Sequence, residues 1–412
     1  MSSEWPLVRL EEITSVLGDG LHGTPIYDDG GDYHFINGNN LLEGRIVINE
    51  KTKRVTEAEA HKHRKNLNER TILVSINGTL GNIAFYCGER VILGKSACYF
   101  NVDTGVDKHF VRYVLQSDTF QNYIHNLATG STIKNVSLRL MRDFSFQLPP
   151  FEVQERISAT LKALDDRIAL LRETNATLEA IVQALFKSWF VDFDPVHARA
   201  RGEEPAGLSP EVAALFPNSF EESELGMIPK GWRVGELGQE VRISYGKNLP
   251  TTKLLDAGFP VYGGNGQIGF FDSYLYKDRQ VLVACRGAAS GKVNQSVPEA
   301  FITNNSLVLE STELLTFSYL KGFMTRADLT PYVTGSAQPQ VTIDNLKNFK
   351  ILVPPQPMVA HYEAFAGLIE NRIEGNCLQA QSLATLRDTL LPRLISGQLR
   401  LPEAEAMVEA VS

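Results

Sequence analysis

Two periodicities alternate along this chain. Short apolar runs rich in β-branched residues and punctuated by Gly and Asn come first, among them Arg45-Ile-Val-Ile48, Thr71-Ile-Leu-Val74 and Val91-Ile-Leu93. Runs of this length between turn formers predict strands joined by tight turns. After Pro149-Pro150, which disfavour helix before them and permit it after, the period changes. Ile157, Leu161, Leu164, Ile168, Leu171, Asn175, Leu178, Val182, Leu185 and Trp189 follow at alternating spacings of four and three. That is a heptad seam with one polar interruption, and it predicts a long helix that packs on another helix. The whole succession then recurs. Gln280-Val-Leu-Val283 and Ser306-Leu-Val-Leu309 read as strands, Pro354-Pro355 stands at the switch, and Tyr362, Ala366, Ile369, Ile373, Asn376, Ala380, Leu383, Arg387, Leu390 and Leu394 form the second seam.

The recurrence is an internal repeat. Gly130 to Pro150 aligns without a gap on Gly335 to Pro355, an offset of 205, and the same offset carries Leu164-Asp-Asp-Arg-Ile168 onto Ile369-Glu-Asn-Arg-Ile373. Upstream, Trp5 and Leu10 match Trp232 and Leu237, and Ile72-Leu-Val-Ser-Ile-Asn-Gly78 resembles Val281-Leu-Val-Ala-Cys-Arg-Gly287. Helices of about 38 residues would be roughly 57 Å long, too long for the core of a small domain, so they are expected to pack on each other. Asn175 and Asn376 occupy different seam positions. They would not meet in a parallel, in-register pair but would help fix an antiparallel one. The fold class expected is α+β: two mixed globular units in a pseudo-twofold repeat, with two long helices forming an antiparallel coiled coil between them, a dumbbell.

Length and charge refine this picture. The 412 residues suffice for two or three domains, and no apolar run approaches the roughly 18 residues of a membrane span. The start, Met1-Ser-Ser-Glu-Trp-Pro-Leu, shows neither a basic nor an apolar leader segment, and Cys87, Cys98, Cys285 and Cys377 form no CxxC pair. A cytoplasmic location is therefore expected, without membrane contact, metal knuckle or disulfide framework. The net charge of −8 is local: Asp192 to Glu236 carries −5 and Leu401 to Ser412 carries −3. The remainder is neutral, so global charge does not argue against a DNA-binding face.

Catalytic signatures are missing. Neither an Asn/Asp-Pro-Pro-Tyr tetrapeptide nor a Pro-Cys dipeptide of a DNA methyltransferase occurs, and Asp194-Pro195 is followed by Val196-His197. Gly88 to Ser96 mimics a phosphate-binding loop but has five residues between its glycines where four are needed, and Gly287 to Lys292 has three. His61-Lys-His63 is flanked by Arg64 and Lys65, which would repel a metal ion. Polar, Gly-rich segments suit nucleic acid better. Lys51, Lys53 and Arg54 offer phosphate partners, while Asn37, Asn39, Asn40, Asn77 and Thr79 offer groups that read base edges. Their second-copy equivalents are Lys247, Asn265, Gln267, Arg286, Lys292, Asn304 and Asn305.

Lys187-Ser-Trp-Phe-Val-Asp-Phe-Asp-Pro195 and Glu224-Leu-Gly-Met-Ile-Pro-Lys-Gly-Trp232 resemble segments of the specificity subunits of type I restriction-modification systems. So do Asp19-Gly-Leu-His-Gly-Thr-Pro25, Thr129-Gly-Ser131, Gly335-Ser-Ala-Gln-Pro339 and Leu391-Pro-Arg-Leu-Ile-Ser-Gly397, and the resemblance runs essentially end to end. It implies target-recognition domains at 1–150 and 232–355, long helices at 151–191 and 356–400, an acidic linker at 192–231 and an acidic tail at 401–412. It also implies that each domain reads one half of a bipartite, asymmetric sequence in double-stranded DNA. His22, Thr24, Lys134, Tyr245 and Gln338 join the candidate DNA contacts on this basis, and Trp189, Phe190, Phe193, Leu394 and Ile395 become candidate partner contacts. The chain itself would be non-catalytic and without cofactor. Modification (methyltransferase) subunits would bring S-adenosylmethionine for adenine methylation, and restriction (translocase and nuclease) subunits would bring ATP and magnesium. An interaction scaffold whose paired heads bind protein is the alternative. A DNA reader contacting about six phosphates would be told from it by a log-log salt slope near −5.

Overall fold

The computed structural model describes residues 5–130 and 133–410. Ser131 and Thr132 of the first Gly-Ser segment, and Val411 and Ser412 of the tail, lie outside the described residues. The chain divides into two compact units, residues 1–170 with 379–412, and residues 171–378.

In the first unit a four-stranded antiparallel sheet runs in the order Thr14–Asp19, Ala97–Val102, Thr71–Asn77, Thr79–Phe85. Thr71–Asn77 is buried along nearly its whole length, which is why Ile72, Leu73 and Val74 read as a run and not as an alternation. A three-stranded sheet joins it, with Tyr33–Ile36 antiparallel to Arg54–Val55 and parallel to Val91–Leu93. Leu7–Arg9 pairs with Ser145–Gln147, and the Leu148 amide donates to the Pro6 carbonyl at 2.9 Å, so the two ends of the globular part lie side by side.

The second unit repeats this topology. Its four-stranded sheet has the order Arg242–Tyr245, Ser306–Glu310, Val281–Ala284, Val293–Gln295, all antiparallel. Phe259–Gly263 is antiparallel to Gly266–Phe271 and parallel to Phe301–Ile302, and Arg233–Glu236 closes on Lys350–Val353. The sequence repeat is thus a repeat of strand order. Arg45-Ile-Val-Ile48 departs from expectation: only Arg45–Ile46 is strand, and Val47 and Ile48 are exposed. Side-chain turns through Asn49 and Thr52 capture the backbone there, outcompeting the β-branched preference.

Both long helices span 40 residues, Phe151–Phe190 and Gln356–Ile395, each beginning directly after its proline pair. Within the first unit, Asp165 of one helix meets Arg387 of the other at 2.7 Å. Within the second, Asn376 Nδ2 donates to Asn175 Oδ1 at 2.8 Å, Asn175 Nδ2 to the Ile373 carbonyl at 3.2 Å, and farther along Phe186 and Trp189 meet Tyr362. Residue numbers rise on one helix as they fall on the other, so the pairing is antiparallel, and the two seam asparagines meet. The acidic segment 192–231 is folded: helices Asp194–Ala200 and Pro210–Ala213 and the hairpin Phe220–Ser223 with Gly226–Pro229 send Val196, Phe216 and Ile228 into the second unit's core. Asp194-Pro195 opens a helix with proline in its first turn, where the missing N–H costs nothing.

Candidate nucleic-acid interface

In an antiparallel sheet, the ends of alternate strands and the starts of their neighbours share an edge. In the first unit that edge gathers the ends of Thr14–Asp19 and Thr71–Asn77 with the starts of Thr79–Phe85 and Ala97–Val102. A loop docks on it. Thr129 and Asn135 exchange backbone hydrogen bonds of 2.9 and 2.8 Å, the Gly78 amide donates to the Lys134 carbonyl at 2.9 Å, and Asn77 Nδ2 donates to Asn135 Oδ1 at 3.1 Å. Gly78 and Gly130 have φ of +77° and +101°, and a Cβ on Gly130 would collide with the Ile133 carbonyl, so glycine is required where the loop closes.

The second unit builds the same device. Thr334 and Gln340 exchange two backbone bonds of 2.8 Å, and Gly287 donates to the Pro339 carbonyl at 3.0 Å. Gly335 has φ +89°, with a Cβ there only 2.6 Å from the Gln338 carbonyl oxygen. Thus the loops that start at Gly130 and Gly335, found by internal alignment, are both pinned to the turn after a central strand. Gly287–Ala289, whose spacing mimics a phosphate cradle, serves instead as the dock, with Ser290 Oγ donating to Pro339 O at 2.7 Å. Gly335→Val should displace this loop at a strain cost of about 1–3 kcal/mol. A binding titration over variant sites is expected to show lost discrimination with the fold retained.

Around that edge the structure assembles the candidates of the second copy. Tyr245 and Lys247 leave the first strand, Arg286 leaves the third, and Gln338 lies in the docked loop, all exposed. Asn304 donates its amide to the Lys247 carbonyl, and Lys292 Nζ donates to Asn265 Oδ1 at 2.7 Å. The hairpin carrying Asn265 and Gln267 is held to the edge by Asn294 Nδ2 on the Gly264 carbonyl and Ser306 Oγ on the Gly263 carbonyl, beside exposed Asn305.

The first copy is sorted more sharply. His22, Thr24, Asn39, Lys51, Lys53, Arg54, Thr79 and Lys134 are exposed, and Asn77 is half-buried. Asn37 and Asn40 are corrected: they are scaffold. Asn37 Oδ1 accepts from Ser96 Oγ at 2.8 Å, while Asn40, 9% exposed, accepts from the Asn37 amide and donates to the Val47 carbonyl. These bonds hold the 3-10 turn Gly38–Asn40; they commit both ends of the Asn40 amide and the oxygen of Asn37. Lys95 was passed over as part of a false phosphate loop, yet it is exposed in the turn entering Ala97–Val102 at this edge.

Trp189, Phe190 and Leu394 are corrected as well. They are 5%, 2% and 1% exposed. Trp189 packs edge-on to Phe216 at 5.1 Å and Phe190 edge-on to Tyr319 at 4.9 Å. Phe193 caps the following helix in left-handed conformation against Trp232, so of this set Ile395, half-buried, stays nearest the surface together with Phe193.

Glu59 positions the His22–Thr24 loop. Its Oε1 accepts the Ile26 amide at 3.0 Å, and Lys62 Nζ lies 2.8 Å from Oε2. The Lys62 hydrogen bond, then the Ile26 amide and His63, hold its carboxyl down at about 2. A depressed carboxyl stabilises the fold above its unfolded value near 4.5 and loses that contribution as pH falls through about 2. Protection of the Ile26 amide from hydrogen exchange, relative to an unstructured amide at the same pH, should therefore hold at pH 4 and fall towards pH 2, and Glu59→Gln should lower it already at pH 7. Burial pushes the Cys98 and Cys285 thiols up, away from the reactive thiolate.

The family model described as the type I restriction modification DNA specificity domain matches residues 2–180 and 229–359. Among curated relatives, the MjaIX type I restriction enzyme specificity subunit of Methanocaldococcus jannaschii is 24% identical over 97% of this chain and 94% of its own. The HindI specificity subunit of Haemophilus influenzae is 25% identical over 70% of this chain and 77% of its own. A crystal structure of the type I restriction-modification S subunit from M. genitalium superposes with a TM-score of 0.59 at 21% identity, covering 95% of this chain and 96% of that one, and shares its fold. Among the described residues, no helix is long and apolar enough to cross a membrane.

Proposed function

Because this chain belongs to the type I restriction modification DNA specificity family and carries that domain twice, we propose that each unit reads one half of a bipartite, asymmetric DNA target with the sheet edge described above. The chain is a specificity subunit, a non-catalytic member of a larger assembly. In this reading it acts in the cytoplasm, modification subunits bound to it methylate adenine using S-adenosylmethionine, and restriction subunits use ATP and magnesium to translocate and cleave. One observation carries the two-headed reading. The same docked loop and turn glycine occur in both units, but the side chains at matched positions differ: Asn77 and Asn135 in one, Arg286 and Gln340 in the other. Arg pairs with guanine and Asn or Gln with adenine through two hydrogen bonds each, so a common frame serves two base preferences.

Exposed Lys51, Lys53, Arg54, Lys95 and Lys134 in the first unit, and Lys247 and Lys292 in the second, supply backbone contacts that position the duplex without reading it. Methylome sequencing of the host with and without the gene tests the whole reading: one bipartite adenine-methylated motif should vanish with the gene. At residue level, Arg286→Ala is expected to cost about 1–3 kcal/mol of discrimination in one half-site if the contact is to a base, and to weaken binding uniformly if it is to phosphate. Equal affinity for every sequence before and after the change would remove Arg286 from the site.

A further inference from the structure

The pseudo-twofold repeat makes a control available inside one molecule. In the first unit Asp165 on the first long helix is a node for three donors. Tyr113 Oη donates to Oδ2 at 2.8 Å, Arg112 Nη2 lies 3.4 Å from the same oxygen, and Arg387 Nη1 of the antiparallel helix donates to Oδ1 at 2.7 Å. The repeat carries Asp165 onto Glu370 at the offset of 205, and Arg112, on helix Lys108–Gln116, onto Lys321, on helix Phe317–Arg326, at the offset of 209 that relates Ile72–Gly78 to Val281–Gly287. Lys321 Nζ does lie 2.7 Å from Glu370 Oε1. The other two donors have no counterpart. Tyr113 is replaced by Gly322 and Arg387 by Val182.

Part of the missing volume is made good from the other helix. A Cβ on Gly322 would collide with the ring of Phe186, so that ring stands where the side chain of Tyr113 leaves its helix in the first unit. Among the described residues, no guanidinium meets Glu370 as that of Arg387 meets Asp165. A cavity of about 220 Å³ lies beside Lys321, bounded by Val182, Phe186, Ser318, Arg326 and Tyr362 among others. A cavity of about 150 Å³ already admits benzene. Its wall is largely apolar and carries two buried polar groups. The hydroxyls of Ser318 and Tyr362, residues 2% and 0% exposed, are buried without a hydrogen-bond partner among the described residues.

Charge points the same way. Glu179, Lys321 and Arg326 line the cavity, and with Glu370 and Glu363, which stand behind Lys321 and Ser318, they make three carboxylates against two cations. Glu179 and Glu370 share Lys321, and Glu363 accepts the Ser318 amide at 3.0 Å. Arg326 is occupied with the Gln183 carbonyl and the Phe186 face. The region is one positive charge short, and two hydroxyl oxygens stand ready to accept. A guanidinium supplies that charge with five N–H donors in a planar fork, where an ammonium is more strongly hydrated and offers three.

We propose that this cavity is a receptor for an arginine side chain of a partner subunit, which completes in the second unit the node that Arg387 completes in the first. The partner follows from the reading above that the chain works in an assembly. The same long helix exposes Phe365 and Leu368, 47% and 71%, as apolar ground for the protein that carries the arginine.

The test uses the full chain and two probes, N-acetyl-arginine N-methylamide and its neutral isostere N-acetyl-citrulline N-methylamide. Calorimetry should show saturable millimolar binding of the first and at least tenfold weaker binding of the second. Val182→Arg puts the side chain where the repeat predicts it, and should raise the melting temperature, abolish probe binding and weaken assembly with the methyltransferase partner at least tenfold. Should that variant not fold, Tyr362→Phe and Ser318→Ala remove the acceptors without filling the space, and each should weaken probe binding at least threefold. Equal binding of both probes, binding that persists in Val182→Arg, or no binding to the wild-type chain would each overturn the receptor. Probe binding with undiminished assembly of the variant would overturn the partner's arginine as occupant. A wild-type chain that binds the probe but assembles with no methyltransferase would instead count against the proposed function, leaving the cation site standing.

Discussion

Exchanging residues 1–150 for the matching segment of a relative with a different target should replace one half of the recognised sequence and leave the other half as it was. The cut points suit the exchange. Leu7–Arg9 pairs with Ser145–Gln147 and Leu148 bonds to Pro6, so a transplanted segment enters and leaves at one place, just before the first long helix begins at Phe151. The docked loop, the central strand and its turn all travel together, while the helical seam that pairs with the second helix stays native. Base contacts specify and backbone contacts only position. Each wrong base pair costs about 1–3 kcal/mol, roughly ten- to a hundredfold in affinity, so a changed half-site will be unmistakable. Sequencing the methylated motif reads the result directly. Change in both halves would mean that the units do not read independently.

Trp189→Ala is expected to destabilise the second unit by about 3–5 kcal/mol, the range for removing a buried aromatic ring. Trp189 touches Phe190, Phe216 and Tyr362 in one aromatic cluster that joins both long helices to the folded acidic segment. Denaturant unfolding should show an earlier transition, and loss of complex activity should follow the loss of fold. Ile395→Ala, at a half-buried position, should cost far less. If Trp189→Ala left stability unchanged and weakened only partner binding, the ring would belong to an interface and not to the core.

Much of the architecture was legible along the chain because it rests on period and repetition. The proline pairs marked where both 40-residue helices begin, while the first ends one residue and the second five residues before the expected 191 and 400, and the repeat proved to be one of strand order. Asn175 and Asn376 even announced the antiparallel pairing, since a polar pair out of register in one orientation is in contact in the other. The Gly-Ser segments were visible for the same reason, as positive-φ glycine is demanded by backbone geometry and not by neighbours.

What side chains do with one another was decided only in three dimensions. Asn37, Asn39 and Asn40 are identical in type and lie within four residues, yet two tie a turn together and one faces solvent, because their hydrogen-bond partners are Val47 from beyond a turn and Ser96 from a distant strand connection. Trp189 and Phe190, candidate partner contacts by resemblance, are buried in a core to which the folded acidic segment contributes Val196, Phe216 and Ile228. Local sequence determined secondary structure, turn chemistry and the duplication, since those depend on backbone torsions and hydrophobic period within a few residues. Tertiary packing alone determined which polar groups remain free, and it turned the replacement of Arg387 by Val182 in the other repeat into a cavity beside Lys321.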